Sequence, residues 1–148
     1  MNNSVEYTWD EAVSEGIMLG YLYNYNRADQ SYDFSDSLEP GFGYWIWAYY
    51  DCELIMYSNE VGTDHITDLK VDWDIMGTPY RASIAKTSTQ IENATGTYDW
   101  NSAVSNNIIL GFVYGWNNVG QVYELCDTFE PTRGYWMFSY QDCILEEQ

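Results

Sequence analysis

Residues 39–52 read EPGFGYWIWAYYDC, and residues 130–143 read EPTRGYWMFSYQDC. The two stretches stand 91 positions apart, and sliding the chain by that distance lays residues 7–54 on 98–145 without a gap, with 22 identities in 48 positions. A period this long marks a duplicated unit, since solenoid repeats run to about 20–50 residues. The aromatics inside the repeated stretch alternate, which is strand spacing. Trp45, Trp47 and Tyr49 fall on one face and Tyr44, Ile46, Ala48 and Tyr50 on the other. The copy gives Trp136, Phe138 and Tyr140 against Tyr135, Met137, Ser139 and Gln141. Only the second set drifts polar, so the Trp face is expected to point into the core of each copy and the other to be partly wet.

Working outward, each copy opens with a short helix. Thr8-x-x-Glu11 is a capping box, Trp9, Ala12 and Val13 share a face, and Gly16 is the expected stop. In the second copy Asp99 is the cap, Trp100, Ala103 and Val104 are the face, and Asn106-Asn107 is the stop. A strand follows, with Ile17, Leu19, Tyr21, Tyr23 and Tyr25 on one face, and Ile108, Leu110, Phe112, Tyr114 and Trp116 in the copy. Turns at NRADQ and NNVGQ lead into short strands at 31–34 and 122–125, a hairpin pattern. Pro40-Gly41 makes a turn, and Gly43 answers a positive φ or a close backbone approach. After Asp51-Cys52 and Asp142-Cys143 a last strand is expected. The fold class is therefore α+β and β-rich: two copies of a small antiparallel-sheet module, each with one short helix, packed side by side about a pseudo-twofold axis. The first module spans 1–56 and lacks its first strand, a linker spans 57–65, and the second, complete module spans 66–148.

The totals narrow the function classes. Of 148 residues, 46% are hydrophobic and 18% aromatic, with 15 Tyr and 7 Trp, so a packed core is attainable. With 23 Asp and Glu against 5 Lys and Arg, the formal charge is −18. Such a surface repels phosphate backbones, so nucleic acid is not an expected partner, nor is an anionic membrane. No apolar run reaches the ~20 residues of a membrane helix, and no signal peptide pattern opens the sequence.

Between the copies, residues 66–80 read ITDLKVDWDIMGTPY. With EPTRGYW downstream, this resembles a module of exported bacterial and archaeal proteins that carries W-N-[LI]-I-G-x-P and, further on, L-x-P-G-x-G-Y-W. Trp73, Asp74, Ile75, Met76, Gly77 and Pro79 match the first motif, with Asp for Asn and Met for Ile. Glu130, Pro131, Gly134, Tyr135 and Trp136 match the second, with Thr132 where the family prefers Gly; Pro40-Gly41-x-Gly43-Tyr44-Trp45 is intact in the first copy. The resemblance covers 66–145 as a whole module and 7–54 as one lacking its first strand. It implies a mostly β, non-catalytic module of extracellular or surface proteins, with no catalytic residues. The missing strand leaves an edge, to be completed by residues 1–6, the linker, the second module or another chain, a homodimer included.

The expected function is a non-enzymatic binding or structural module whose ligand is carbohydrate or protein. Tyr23, Tyr25, Tyr44, Tyr50 and Trp116 are the candidate ligand-binding residues, as flat rings suited to a sugar face. The alternatives are a small hydrolase using the carboxylates Asp33, Asp36, Glu39, Glu124, Asp127 and Glu130, or a cytoplasmic protein acting through dimerisation. His65 is the only histidine and no nucleophile elbow accompanies it. Asp72-x-Asp74 is a poor calcium pattern; no metal and no cofactor are expected. Cys52, Cys126 and Cys143 have no metal spacing, and Cys52 with Cys143 is a conceivable disulfide between symmetry-related positions. Asn2 and Asn93 open glycosylation sequons by pattern.

Overall fold

A computed structural model describes residues 5–56, 66–78 and 82–147. In chain order the first half holds α1 (Trp9–Ser14), β1 (Met18–Asn26), β2 (Ser31–Ser35) and β3 (Tyr44–Ala48). The second half holds β4 (Ile66–Leu69), β5 (Asp72–Gly77), β6 (Ile84–Ala85), β7 (Thr89–Asn93), β8 (Gly96–Asp99), α2 (Trp100–Ser105), β9 (Tyr114–Asn117), β10 (Val122–Leu125), β11 (Thr128–Phe129), β12 (Gly134–Ser139) and β13 (Cys143–Glu147). The molecule is β-rich, in several small antiparallel sheets ordered β2-β1-β3, β10-β9-β12-β5, β11-β6 and β4-β13-β7-β8.

The helices form where their caps put them. The Thr8 hydroxyl accepts from the Glu11 N–H at 3.3 Å while the Glu11 carboxylate accepts from the Thr8 N–H at 2.9 Å. Asp99 caps α2 by accepting from the Ser102 N–H at 2.7 Å. Gly16 (φ 67°) and Asn107 (φ 52°) end the two helices in the left-handed region.

Hydrogen bonds recur at the 91-residue spacing. The Ile17 carbonyl accepts from the Tyr49 N–H at 2.8 Å, and the Ile108 carbonyl from the Tyr140 N–H at 2.9 Å. The Tyr44 hydroxyl accepts from the Glu39 N–H at 3.0 Å, and the Tyr135 hydroxyl from the Glu130 N–H at 2.6 Å. At the hairpin turns, Asn26 Oδ1 accepts from the Ala28 and Asp29 amides, and Asn117 Oδ1 from those of Val119 and Gly120.

The main core lies between the β10-β9-β12-β5 sheet and a cover made of α2, β4, β6, β7 and β13. It contains Leu69, Met76, Ile84, Ile91, Trp100, Ala103, Ile108, Ile109, Val113, Phe129, Tyr135, Met137, Cys143 and Leu145. The expected orientation of the Trp face is therefore reversed. Tyr135, Met137 and Ser139 are the buried side of β12, while Trp136 and Phe138 are half-buried and Tyr140 is exposed. On β1, likewise, Met18 and Leu22 are buried, not Tyr21, Tyr23 or Tyr25. The reason is that the Trp faces of the two sheets meet each other. Tyr25 lies edge-on to Trp136 with ring centres 4.6 Å apart, and Trp45 lies edge-on to Trp116 at 5.2 Å. Only part of each face is covered this way: Trp47 and Tyr49 are exposed.

The expected gap beside the first sheet is partly closed by β5. One edge of β5 pairs with β12 from Asp72↔Ser139 to Gly77↔Gly134. At its other edge the Ile75 carbonyl accepts from the Gly43 N–H at 3.0 Å, and the Gly41 carbonyl from the Gly77 N–H at 3.1 Å. A Cβ on Gly43 would clash with Ile75 and meet the Met76 carbonyl at 3.0 Å, so Gly43 serves a close approach rather than a positive φ.

The expected last strand forms only once. Cys143–Glu147 is β13, but residues 51–56 form no strand. Leu145, with no exposure, and Leu54, 44% exposed, are the same residue at equivalent positions. We expect Leu145→Ala to cost about 2–5 kcal/mol and Leu54→Ala less than about 1 kcal/mol in denaturant unfolding. Thr132 sits at φ 65°, where Gly41 sits at φ 84° in the first copy. A β-branched residue is strained there, so Thr132→Gly should raise stability by about 1 kcal/mol in the same assay.

Candidate binding surface

The five aromatic candidates do not converge on one site. Tyr25 and Trp116 are taken up at the junction between the sheets, and the Tyr25 hydroxyl also donates to Gln30 Oε1 at 2.9 Å. Tyr44 is half-buried and its hydroxyl is the latch on Glu39. Tyr23 stacks at a tilt on Phe34, 5.0 Å away, and with Tyr32 and Trp45 lines a shallow depression. Tyr50 is 69% exposed, beyond the end of β3.

The carboxylates expected for the alternative chemistry are spread along turns and strands. Asp33 accepts from the Asn26 amide at 2.8 Å, Glu124 from the Asn117 amide at 3.0 Å, and Asp127 pairs with Lys86 at 2.8 Å. Glu130 accepts from the Ser83 hydroxyl. Among the described residues no group of three or more His, Cys, Asp or Glu could hold a metal ion. His65, Asn2 and the whole of the expected 57–65 linker lie outside the described residues. The three cysteines are free: Cys52 is exposed, Cys126 half-buried and Cys143 buried, so the conceivable Cys52–Cys143 disulfide is not formed. Burial pushes the Cys143 thiol pKa up. No described helix is long and apolar enough to cross a membrane.

Two features were not foreseen. The first is a buried ion pair between the halves. Arg27, in the β1–β2 turn, places Nε 2.9 Å from Asp74 Oδ2, and its guanidinium lies 4.6 Å over the Phe42 ring. Asp74 is 2% exposed on β5, and it also receives the Lys70 N–H at 3.5 Å. Loss of hydration pushes its pKa up to about 6, against the opposing pull of Arg27. The available signal was that Arg27 is the only Lys or Arg in residues 1–56, replaced by Asn118 in the copy.

The second feature is an open apolar face on the first half. Ten of the fourteen core residues have a counterpart 91 positions earlier. Phe129, Met137 and Leu145 have no exposure, whereas Leu38, Ile46 and Leu54 are 39%, 38% and 44% exposed. The four core residues without a counterpart are Leu69, Met76, Ile84 and Ile91, all from the segment that covers the second half. Among the described residues, the first half thus has most of a core without a counterpart of the segment that supplies Leu69, Ile84 and Ile91 to the second. The missing strand signalled an open edge, but an edge does not tell which side chains it leaves bare.

No protein-family model, no curated protein and no solved structure matches the chain.

The sign of the Asp74 effect is opposite to that of an ordinary paired carboxylate. Its folded pKa is above its unfolded value, so the folded state binds the extra proton between about pH 4 and 6. Its contribution to stability is present in full below that window and is lost as pH rises through about 6. We expect stability to rise on acidification from pH 7 to 5 by about 1 kcal/mol for this group, because only about one unit of that range lies below its folded pKa, at 1.36 kcal/mol per unit. In Asp74→Asn that rise should vanish from urea unfolding curves taken across the window.

Proposed function

We propose that the chain is a non-enzymatic protein-binding module of the kind attached to larger exported or surface proteins, as its W-N-[LI]-I-G-x-P resemblance implies. It consists of two copies of one unit, residues 1–56 and 66–148, related by a local twofold axis near β5. The second copy is the scaffold and the first presents the binding surface. The observation that carries this reading is the pairing of Leu38, Ile46 and Leu54 with fully buried counterparts: the same apolar positions are sealed in one copy and bare in the other. Bare apolar patches of this kind mark interaction sites.

Protein is favoured over carbohydrate because Tyr25, Tyr44 and Trp116, three of the five rings suited to a sugar, already have structural partners. An apolar dye such as ANS should bind the isolated chain, and Ile46→Glu with Leu54→Glu should remove most of that binding without lowering stability. Titration with a glycan panel should leave tryptophan emission unchanged. A glycan that shifts the emission, and stops doing so in Tyr23→Ala or Tyr50→Ala, would replace this reading with a sugar-binding one.

A further inference from the structure

We propose that the open face of the first half is occupied by a strand-forming segment of another polypeptide, apolar on one side and carrying two flanking lysines or arginines. This rests on the reading above that the face is a binding surface. The second half shows what such an occupant supplies. There β13 is paired on both edges, with β4 from Cys143↔Leu69 to Glu146↔Ile66 and with β7 from Ile144↔Glu92 to Glu147↔Thr89. Leu69, Ile84 and Ile91 of the same cover fill the core against Leu145 and Met137. In the first half, Cys52–Met56 corresponds to β13 and no described strand pairs with it. Among the described residues both of its edges are thus unpaired and suited to strand addition, in which main-chain hydrogen bonds give affinity and alternate side chains give selectivity.

Charge decides the kind of segment. In the second half the cover brings two lysines to two carboxylates. Lys86 Nζ lies 2.8 Å from Asp127 Oδ1, and Lys70 Nζ lies 3.4 Å from Asp142 Oδ2. The counterparts of those acids are Asp36 and Asp51, and among the described residues no cation reaches either. Among the described residues, Asp36 and Asp51 thus lack the cations that their counterparts Asp127 and Asp142 receive from Lys86 and Lys70. A second copy of a chain with net charge −18 would bring like charge to this face. A segment that sets a lysine or arginine against each of Asp36 and Asp51 meets them with opposite charge, which sets register more than it adds affinity.

The test uses the chain's own cover as probe: a synthetic peptide of residues 66–97, and the same segment joined ahead of residue 1 by a flexible Gly/Ser linker, which raises its effective concentration. Cys52 is the reporter, since it is exposed while its counterpart Cys143 is buried. In the isolated chain iodoacetamide should modify Cys52 far faster than Cys143. With the peptide or the linked segment, Cys52 labelling should slow by about tenfold or more, and amide exchange over 52–56 should slow with it. Leu54→Glu should weaken peptide binding by about tenfold or more. Asp36→Asn with Asp51→Asn should weaken it a few-fold and flatten its dependence on salt. If neither the peptide nor the linked segment protects a reactive Cys52, the partner assignment is wrong while the open face stands. If Cys52 is as slow as Cys143 in the isolated monomer, the open face itself is absent and the protein-binding reading falls too. A dimer by sedimentation in which Cys52 is already protected gives the face to a second copy and overturns the proposal.

Discussion

Strand β5 is the element on which both halves depend. Along one edge it is an ordinary antiparallel partner of β12; along the other it receives the Gly41–Gly43 backbone of the first half. That second contact works only because Gly43 and Gly77 carry no side chain: a Cβ on Gly77 would sit 2.5 Å from the Phe42 carbonyl oxygen. The same strand carries Asp74, whose ion pair with Arg27 crosses between the halves. A buried pair of this kind adds little net stability, because desolvation offsets most of the attraction. It ties the first hairpin to β5 at a defined place, with Arg27 reaching both Asp74 and Asp68. The aromatic contacts of Trp45 with Trp116 and of Tyr25 with Trp136 then supply the non-directional part of the junction, through area removed from water and edge-to-face ring contact.

The charge distribution follows from scarcity. The chain has 5 basic residues, and each described one sits in an ion pair: Arg27 with Asp74 and Asp68, Lys70 with Asp68 and Asp142, Lys86 with Asp127, and Arg133 with Glu124. Arg27, Lys70 and Lys86 each join segments far apart in sequence, so the cations are spent on internal ties. The acids in excess are left outside. Like charge of this size opposes association between molecules that also expose Trp47, Tyr50 and the Leu38–Ile46–Leu54 face. The formal −18 is in this sense the counterweight to an aromatic-rich surface.

Much of the local structure was legible in the residues. The Thr8–Glu11 box, the Asp99 cap, the helix stops at Gly16 and Asn107 and the hairpins after Asn26 and Asn117 all form where local chemistry places them. The sided reading of the Trp strand failed for a physical reason. Period-two alternation says which residues share a face, but when both faces are apolar it cannot say which neighbour covers which. Trp136 drew its cover from the other half, and Tyr135 and Met137 drew theirs from α2 and the sheet containing β13. The ring partners of Tyr25 and Trp116 were hidden in the same way, since Trp136 and Trp45 are over a hundred and about seventy positions away. Such contacts leave no trace in spacing.

The bare face of the first half raises the question of how that half keeps its shape with its core uncovered. The recurring hydrogen bonds answer it. Helix caps, Asn-centred turns, the Tyr44 latch and the Ile17–Tyr49 bond all act within residues 7–50 and need nothing from the cover. The β1–β2–β3 meander is then anchored at one side by β5 and the aromatic junction. Local geometry and one docked side are enough to hold a three-stranded sheet, whereas the buried apolar area that gives a domain most of its stability is concentrated in the second half. The two halves therefore repeat the same local hydrogen bonds, while the fully buried apolar residues lie in the second half.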